Sequence, residues 1–274
     1  MILLVGRHGF LGRHLERALA GRLHRAFAHD GPWAEALGAD TGCLVWCGRD
    51  PRLGTPDWRL ETDLELAAAR RCAATATAMI TLSSRKVYAP AEGPLGEDAP
   101  TDPADAYGRQ KLALERALAA ILGPRLTVLR LANIIGFEPG RRSFMGLLLT
   151  ALRDRGTIRF DMSPFTERDF LPVETAARWI ARLAEGPPGG ILNLGSGRAM
   201  PVGRIALAVM EGFGGGRLLV EDWRERDAFR LDTHRLRRLL GEAIAPDAIL
   251  AHCRTLGRRL REDPAGDQPM GCGR

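Results

Sequence analysis

Tyr107 and Lys111 are the residues of this chain whose types and spacing most directly suggest chemistry. They lie four residues apart at the start of a predicted amphipathic helix, which places the phenol and the ammonium on one face. A phenol titrates near about 10 in water, so it transfers protons poorly at neutral pH. An ammonium within about 4–6 Å favours the phenolate. The two residues can therefore exchange a proton with a substrate oxygen, although their spacing alone is also compatible with an ordinary helix surface.

Ser84 supplies a third group that suits the same chemistry. It comes at the end of a predicted buried strand, residues 79–83. Ligands of open α/β sheets bind beyond the carboxyl ends of the strands. A hydroxyl at this place can hold the reacting oxygen in line with Tyr107. Ser84, Tyr107 and Lys111 therefore form a candidate catalytic trio.

A glycine-rich segment follows the first predicted strand, residues 2–5, and opens the first predicted helix, residues 11–20. In such a segment one glycine permits the tight turn, the next lets a pyrophosphate approach the backbone, and the third allows close helix packing. The helix N-terminus adds amide donors and partial positive charge. We therefore predict a dinucleotide cofactor bound at Gly6, Arg7, Gly9, Phe10, Leu11 and Gly12.

Asp30 follows Gly12 by eighteen residues and ends the second predicted strand. A carboxylate at this position accepts hydrogen bonds from the adenosine ribose and repels a 2′-phosphate, which favours NAD over NADP. Two alternatives stay open. Asp30 can cap the turn at residues 31–32, and Arg7 with His29 can neutralise a 2′-phosphate, which keeps NADP possible.

Apolar runs alternate with helical patterns along most of the chain. Strands are predicted at 2–5, 25–28, 43–47, 79–83 and 126–131, and helices at 11–20, 63–77, 106–121 and 144–154. This alternation indicates an α/β fold, a Rossmann-type doubly wound parallel sheet with a small C-terminal substrate-binding subdomain. We expect a cofactor-binding domain over 1–136, a mixed region over 137–261 that returns to the sheet and forms the subdomain, and a flexible tail over 262–274.

The composition is that of a folded protein and points away from nucleic-acid binding. The 274 residues suffice for one large domain with a small appendage. With 45% hydrophobic and 26% charged residues, a mainly disordered chain is excluded. The formal net charge of +6 is spread along the chain and mixed with 33 acidic residues. Such a field favours phosphorylated small molecules as ligands.

Cysteine usage and the N-terminal residues bear on the cellular compartment. Five cysteines stand at 43, 47, 72, 253 and 272 without CxxC or Cys/His ligand spacing, so we expect free thiols, a reducing compartment and no metal site. The N-terminal apolar run reaches glycine after five residues. That run is too short for a signal peptide or a membrane span, so we expect a cytoplasmic protein without a membrane partner.

Six motifs occur in the order seen in one known enzyme family. Between residues 6 and 197 they read GRHGFLG, LSSRKVYAP, DAYGRQKLALE, LRLANIIG, RDFLPVE and ILNLGSG. In this order they resemble the extended short-chain dehydrogenase/reductases, in particular the NAD-dependent nucleotide-sugar epimerase/dehydratase group. The resemblance implies that Ser84, Tyr107 and Lys111 are catalytic, and that Lys111 also binds the nicotinamide ribose.

The same resemblance implies further contacts with the cofactor and the substrate. Cys47 and Gly48, at the end of the third predicted strand, are expected to line the cofactor. Asn133 is similar to a residue that family members use near the nicotinamide and the substrate. Arg168 is similar to an arginine that holds a substrate diphosphate, for which a forked guanidinium is well suited. Arg168 is equally compatible with an ordinary surface arginine.

Two positions after the catalytic serine depart from the dehydratases of this family. Those enzymes carry an Asp-Glu pair where this chain has Arg85 and Lys86. Two cations cannot act as a carboxylic acid and a carboxylate base, and the glutamate of related decarboxylases is absent as well. Ketone reduction, alcohol oxidation and epimerisation through a transient ketone remain. Arg85 and Lys86 are candidate substrate contacts, and Lys86 can alternatively serve as an acid/base or be a plain surface cation.

The resemblance therefore predicts an NAD(P)-dependent nucleotide-sugar epimerase with Tyr107 as the acid/base. An NAD(P)H-dependent keto-sugar reductase is the alternative, and a non-catalytic NAD(P)-binding scaffold is a third possibility. Relatives also imply a homodimer, to which Leu112, Leu114, Leu118 and Ile121 can contribute unless they face the sheet. Finally, the short interval between Asp30 and the strand at 43 predicts that a strand-helix unit common in relatives is reduced or missing.

Overall fold

The computed structural model describes residues 1–263. The strands are β1 Ile2–Val5, β2 His24–Phe27, β3 Cys43–Trp46, β4 Ala78–Ser84, β5 Leu126–Leu131, β6 Asn133–Ile135, β7 Thr157–Phe160, β8 Glu167–Pro172, β9 Gly190–Leu194, β10 Ala199–Pro201 and β11 Arg217–Val220. The helices are α1 Phe10–Ala18, α2 Trp33–Ala36, α3 Leu64–Ala74, α4 Ala106–Leu122, α5 Phe144–Arg155, α6 Val173–Glu185, α7 Val202–Phe213, α8 His234–Leu240 and α9 Pro246–Glu262. The tail predicted over 262–274 lies, apart from 262–263, outside the described residues.

The first of two compact units comprises residues 1–132, 173–195 and 231–242. Its sheet has the strand order β2-β1-β3-β4-β5-β9, and every neighbouring pair is parallel. Parallel neighbours require crossover connections, whose helices cover the central strands, so those strands are mostly apolar. Accordingly, β1 and β3 are buried along their whole length. The predicted Rossmann-type doubly wound sheet is confirmed.

The direction in which the chain progresses across this sheet reverses at β1, since β2 lies on one side of β1 and β3 on the other. Open α/β sheets bind ligands beyond the carboxyl ends of the strands at such a point. Gly6 follows β1 and Cys47 follows β3. The N–H of Cys47 donates to the carbonyl oxygen of Val5 at 2.8 Å. The topology therefore brings the glycine motif and the Cys47-Gly48 phrase to one place.

The sheet ends at β2, whereas the common doubly wound order has a further strand beyond this position. Between β2 and β3 the chain forms only the four-residue helix α2. Trp33 of α2 is buried, and its ring meets that of Trp46 edge-on with centroids 5.3 Å apart. The short interval after Asp30 thus reflects the absence of one strand and one helix from the first compact unit. The structure describes every residue of that compact unit.

The second unit comprises, among the described residues, 133–172, 196–230 and 243–263. It contains the sheet β10-β8-β6 and the parallel pair β11-β7. Its apolar core is formed largely by α5, α7 and α9. At Gly212 a side chain would collide with the carbonyl of Arg254, and at Gly257 with the carbonyl of Val209. These two glycines therefore allow α7 and α9 to approach closely.

The apolar residues of α4 belong to the core of the first unit. Leu114 and Leu118 are buried in this core, and Ile121 packs partly buried against it. Leu112 is buried as well. Of the two possibilities that the sequence left open for them, they face the interior. They therefore offer little apolar surface to a second copy of the chain.

Two further findings concern the described residues as a whole. Within residues 1–263, each helix is too short or too polar to cross a bilayer. Cys43, Cys47, Cys72 and Cys253 are free thiols, and Cys272 lies outside the described residues.

Candidate active site

The glycine motif forms the turn between β1 and α1. Gly6 has a φ of +93°, which L side chains rarely adopt, and a Cβ there would lie 2.6 Å from the nitrogen of Gly48. Gly9 is the N-cap residue of α1, and its N–H donates to the carbonyl of Gly6 at 3.0 Å. A Cβ at Gly12 would collide with that same carbonyl. The backbone here forms a cradle at a helix N-terminus, of the kind that accepts a pyrophosphate.

Asp30 and Arg7 bear on whether NAD or NADP fits the site. Asp30 is exposed, three residues beyond the end of β2. Arg7 is held by Glu16, with Nη2 2.5 Å from Oε1 and Nε 3.2 Å from Oε2. Glu16 therefore compensates the charge of Arg7 in this structure. A cavity of about 280 Å³ at the ends of β2 and β3 is lined in part by His29 and Trp46.

Ser84 ends β4, and the chain then makes one helical turn over residues 85–87. Its Oγ accepts the N–H of Lys86 at 3.2 Å, which leaves the hydroxyl hydrogen available to donate. Ser83, in contrast, is buried and donates to the carboxylate of Glu115. Successive residues of a strand point to opposite sides, so Ser84 is the accessible hydroxyl.

The start of α4 packs directly against the turn that follows Ser84. A Cβ at Gly108 would collide with the carbonyl of Lys86. Asp105, the N-cap residue of α4, accepts the N–H of Gly108 at 2.7 Å and the Nζ of Lys86 at 2.5 Å. Partial burial alone raises the pKa of Asp105, but the hydrogen bonds from Lys86 and Gly108 bring it below its ordinary value. Lys86 therefore links the Ser84 turn to α4.

Lys111 lies one helical turn after Tyr107 and is buried, with 5% of its surface exposed. Its Nζ donates to the carbonyl of Leu82 at 2.8 Å and lies 3.5 Å from Oε2 of Glu65. Burial alone lowers the pKa of Lys111, but Glu65, Tyr107 and Asp63 together more than offset it, so the pKa is raised. An ammonium has three N–H donors, and these two contacts leave one for a ligand.

Glu65 is the group of this site that the motifs do not reveal. Its carboxylate is buried and accepts the hydroxyl of Thr81. Burial, offset only in part by Lys111, raises the pKa of Glu65 to about 7. The spacing of α3 carries a signal that could have identified it, because positions 65, 68, 69 and 72 form a buried face on which Glu65 is the one charged residue.

A second buried ion pair supports the segment that follows Ser84. Nη2 of Arg130 lies 2.7 Å from Oε2 of Glu115, and the guanidinium lies 4.6 Å from the ring centroid of Tyr88. The phenol of Tyr88 donates to Oδ1 of Asn193 at 2.7 Å. Burial raises the pKa of Tyr88, although Arg130 lowers it in part. These contacts anchor the Tyr88 segment to the sheet.

Tyr107 is the second residue of α4 and is partly exposed. The guanidinium of Arg49 lies over its ring, with Cζ 5.3 Å from the centroid. On the same segment, a Cβ at Gly54 would lie 3.6 Å from Cβ of Tyr107. The segment that follows β3 therefore passes over the phenol, a position that no sequence motif indicated.

Two residues expected near the substrate lie in the second unit. Asn133 begins β6, and its Nδ2 is buried without a hydrogen-bond partner among the described residues. A buried donor left unpaired is costly, so a ligand acceptor suits it. Arg168 of β8 is only 8% exposed, so it is not an ordinary surface arginine. Its Nε donates to the carbonyl of Asp227 at 3.1 Å and its Nη2 to that of Arg226 at 3.0 Å.

Solved structures with a similar fold include enzymes that act on nucleotide sugars. The UDP-N-acetylglucosamine 4-epimerase of Methanobrevibacter ruminantium M1, solved with UDP-N-acetylmuramic acid, is 17% identical with a TM-score of 0.79, covering 93% of this chain and 97% of its own. DesIV, the dTDP-glucose 4,6-dehydratase of Streptomyces venezuelae, solved with NAD, is 17% identical with a TM-score of 0.77, covering 95% and 98%. RMD from Pseudomonas aeruginosa, solved with NADPH, is 21% identical with a TM-score of 0.76, covering 95% and 99%. At these identities the likeness shows the fold.

The family itself is shown by the sequence match. The comparison with curated proteins found no match. Residues 57–195, slightly more than half of the chain, match the model of the NAD dependent epimerase/dehydratase family. This range includes Ser84, Tyr107 and Lys111, whose surroundings are described above. The chain belongs to the NAD-dependent epimerase/dehydratase family.

Proposed function

We propose that this protein is an NAD-dependent nucleotide-sugar epimerase. The proposal is carried by the complete set of Ser84, Tyr107 and Lys111 together with cations at positions 85 and 86, where a dehydratase of this family needs carboxylates. Lys86 is also bound to Asp105, so its ammonium supports the architecture of the site. These groups suit the transfer of one proton and one hydride and lack the acid and base that eliminate water.

The residues of the first unit fit the cofactor that the family uses. The turn over Gly6, Gly9 and Gly12 would hold the pyrophosphate, and Asp30 the adenosine ribose. Lys111 would offer its remaining N–H to the nicotinamide ribose. When bound, NAD supplies the ring that takes up a hydride from the sugar and returns it. The pairing of Arg7 with Glu16 supports NAD over NADP.

The catalytic residues divide the proton chemistry among them. Tyr107 accepts the proton of the sugar hydroxyl while the carbon is oxidised, and returns it when the transient ketone is reduced from its other face. Ser84 donates a hydrogen bond to the same oxygen. The positive charge of Lys111 favours the phenolate form that takes up the proton.

The proposed substrate is a nucleotide-linked sugar. The unpaired amide of Asn133 supports this assignment, because a sugar hydroxyl or carbonyl is an acceptor of matching size. We also keep Arg168 as a proposed contact of the diphosphate, although its bonds to the 226–227 backbone show that it also fastens this segment to β8. Arg85 is retained as a proposed substrate contact on the strength of its place after Ser84.

Oligomeric state and compartment are separate parts of the proposal. We propose a homodimer that uses the remaining exposed faces of α3 and α4, since the leucines of α4 are buried; light scattering of the purified chain tests this. We propose a cytoplasmic location, which the free thiols of Cys43, Cys47, Cys72 and Cys253 support.

The activity is tested with the purified full chain, NAD, and a panel of UDP-, GDP-, CDP- and dTDP-hexoses. We expect two epimers to reach equilibrium, observed by NMR, without a net change in the absorbance of reduced nicotinamide. Tyr107→Phe should lower kcat by about 10²- to 10⁴-fold. Steady consumption of NADH or NADPH with a keto-sugar would instead identify a reductase. A folded, NAD-binding protein without any turnover would identify a scaffold.

A further inference from the structure

An arginine, Arg49, lies over the ring of Tyr107, the proposed proton-transfer residue. Cζ of Arg49 lies 5.3 Å from the ring centroid of Tyr107, and Nη2 of Arg49 donates to the carbonyl of Leu53 at 2.9 Å. The backbone bond fixes the guanidinium at one end while its face covers the ring. A cation within about 6 Å of an aromatic centroid is attracted to the ring, and it stabilises a phenolate more strongly than a neutral phenol.

The segment that carries Arg49 is fastened to α4. The side chain of Gln110 accepts the N–H of Gly54 at 2.6 Å and donates to the carbonyl of Thr55 at 2.8 Å. Leu53 is buried, which holds the middle of the segment in the core. Residues 49–55 therefore form a strap across the first turn of α4, which Gln110 of α4 holds at Gly54 and Thr55.

Arg49 is exposed, but the other charges around Tyr107 increase the effect of its guanidinium on the phenol. Glu65 lies 3.5 Å from the ammonium of Lys111, so those two residues present a compensated pair to the phenol. The carboxylate adjacent to Arg49 in the chain, Asp50, is bound by Arg52, with Nη2 2.7 Å from Oδ2. Asp50 is thereby compensated without Arg49. The guanidinium of Arg49 thus lies over the ring while these two carboxylates are paired with other cations.

Other charged groups also lie on the elements packed around Tyr107. They are Lys111 and Asp105 on α4, Asp63 and Glu65 at the start of α3, Arg85 and Lys86 after β4, and Arg49, Asp50 and Arg52 after β3. Lys86 is bound to Asp105, which compensates both charges. Within the strap, Asp50 and Arg52 pair with each other, and Arg49 contributes a positive charge over the ring of Tyr107.

We propose that Arg49 is a positioning residue that stabilises the phenolate of Tyr107 and so assists Lys111 in preparing the site for proton transfer. This inference rests on the proposed role of Tyr107. No redox or covalent step is added, because Arg49 remains protonated and exchanges nothing with the substrate.

The chain offers an unusually direct test in the absence of cofactor and substrate. Tyr88 and Tyr107 are its two tyrosines, so a Tyr88→Phe background leaves one source of tyrosinate absorbance. In that background, the pH midpoint of tyrosinate formation is measured at low salt for Arg49→Gln. Removing the cation disfavours the phenolate, so we expect the midpoint to rise by about 0.5–1 pH unit. Arg49→Lys should recover part of this shift.

Arg59→Gln is the matched control. Arg59 follows the strap, is exposed, and binds the backbone carbonyls of Pro56 and Trp58 at 2.6 and 3.0 Å. The substitution Arg59→Gln removes one positive charge from the neighbouring segment. We expect the midpoint of tyrosinate formation to stay within about 0.2 pH unit of the parent, because a distant charge is screened. If Tyr88→Phe does not fold, the same comparison is made with both tyrosines present, because burial raises the pKa of Tyr88 and moves its transition to higher pH.

Kinetics provide a second readout. With a turned-over substrate, Arg49→Gln should lower kcat by about 3- to 10-fold at neutral pH, which corresponds to a shift of 0.5–1 unit, with KM little changed. The proposal is overturned if the midpoint of Arg49→Gln equals that of its parent. It is likewise overturned if the variant only weakens NAD or substrate binding, which would make Arg49 a ligand contact. Full activity of Tyr107→Phe would refute the proposed function while leaving the titration result intact.

Discussion

The carboxylate of Glu65 and the ammonium of Lys111 face each other at 3.5 Å, and 3% and 7% of their side-chain surfaces are exposed. A buried ammonium is costly without a counter-charge. In this protein the counter-charge comes from α3 rather than from the helix that carries Tyr107. The protonation of Lys111 therefore depends on Glu65, a residue outside the motif.

The ionisation of Glu65 makes the stability of the protein depend on pH. Burial raises its pKa from the ordinary 4.5 to about 7, so the folded state binds a proton that the unfolded state has lost between these values. The free energy of unfolding should therefore fall by about 2–3 kcal/mol as pH rises through this window. Glu65→Gln removes this titration. Urea unfolding at pH 4.5 and 7.5 should show this fall in the free energy of unfolding in the parent alone. An equal fall in Glu65→Gln would contradict the assignment.

The same substitution should change the alkaline side of the activity profile. Without Glu65, the largest contribution that opposes the effect of burial on Lys111 is lost, so its pKa falls and the ammonium is deprotonated at a lower pH. In Glu65→Gln, we expect the fall of kcat at alkaline pH to begin about one pH unit or more lower than in the parent. Glu65→Asp, which keeps the charge, should fall between the two. An unchanged alkaline limb would show that Lys111 does not need this carboxylate.

Gly108 should tolerate no side chain, because its Cβ position collides with the carbonyl of Lys86. Gly108→Ala should reduce the free energy of unfolding by about 1–3 kcal/mol, as expected for overpacking. It should also lower kcat by about 100-fold, because it separates the Ser84 turn from α4. Gly93→Ala is the control, since a Cβ there has no neighbour within 4 Å. Equal effects at both positions would refute the steric argument.

Lys86 and Asp105 should contribute unequally although they bind each other. Their side chains are 42% and 44% exposed, so the ion pair itself is worth less than about 1 kcal/mol. Asp105 also caps α4 through the N–H of Gly108. Asp105→Ala should therefore cost about 1–2 kcal/mol and Lys86→Ala less than about 1 kcal/mol in the free energy of unfolding. Thermal and urea unfolding decide the order, and a larger loss at Lys86 would contradict it.

Asp30 should determine the cofactor preference. Asp30→Ser removes the carboxylate that opposes a 2′-phosphate, so we expect the ratio of NADP to NAD affinity to rise at least about tenfold. Arg7→Ala should change this ratio little, because Glu16 already compensates Arg7. Calorimetric titration of both cofactors provides the measurement. A strong loss of NADP affinity in Arg7→Ala would show that the ion pair opens for the phosphate.

The parts of this protein that follow from short-range patterns could be predicted from its sequence. The apolar run at residues 2–5 and the glycines after it determine a buried strand and a tight turn by their own composition. The missing strand-helix unit also followed from the short interval between Asp30 and the strand at 43, because the residues there are too few to build a unit that is common in relatives. In each case the information lies within a few residues of the feature.

The contacts that the sequence did not predict join distant segments. Arg49 reaches Tyr107 only because Gln110 fastens the strap to α4, across 56 residues to Gly54. The bonds of Arg168 depend on backbone 58 and 59 residues away. Glu65 could have been noticed on the buried face of α3, but its partner on another helix could not. Such pairings are set by tertiary packing, which local spacing does not encode.

The early end of the sheet at β2 has a consequence for the behaviour of the protein in concentrated solution. A terminal strand exposes backbone donors and acceptors to which a strand of another molecule can add. Here β2 is only four residues long, and Arg25 within it places its guanidinium 5.2 Å from the ring centroid of Phe27. Short length and a charged side chain both discourage such addition. The first unit is thus one strand shorter than the common doubly wound sheet, yet its edge strand does not favour association with other molecules.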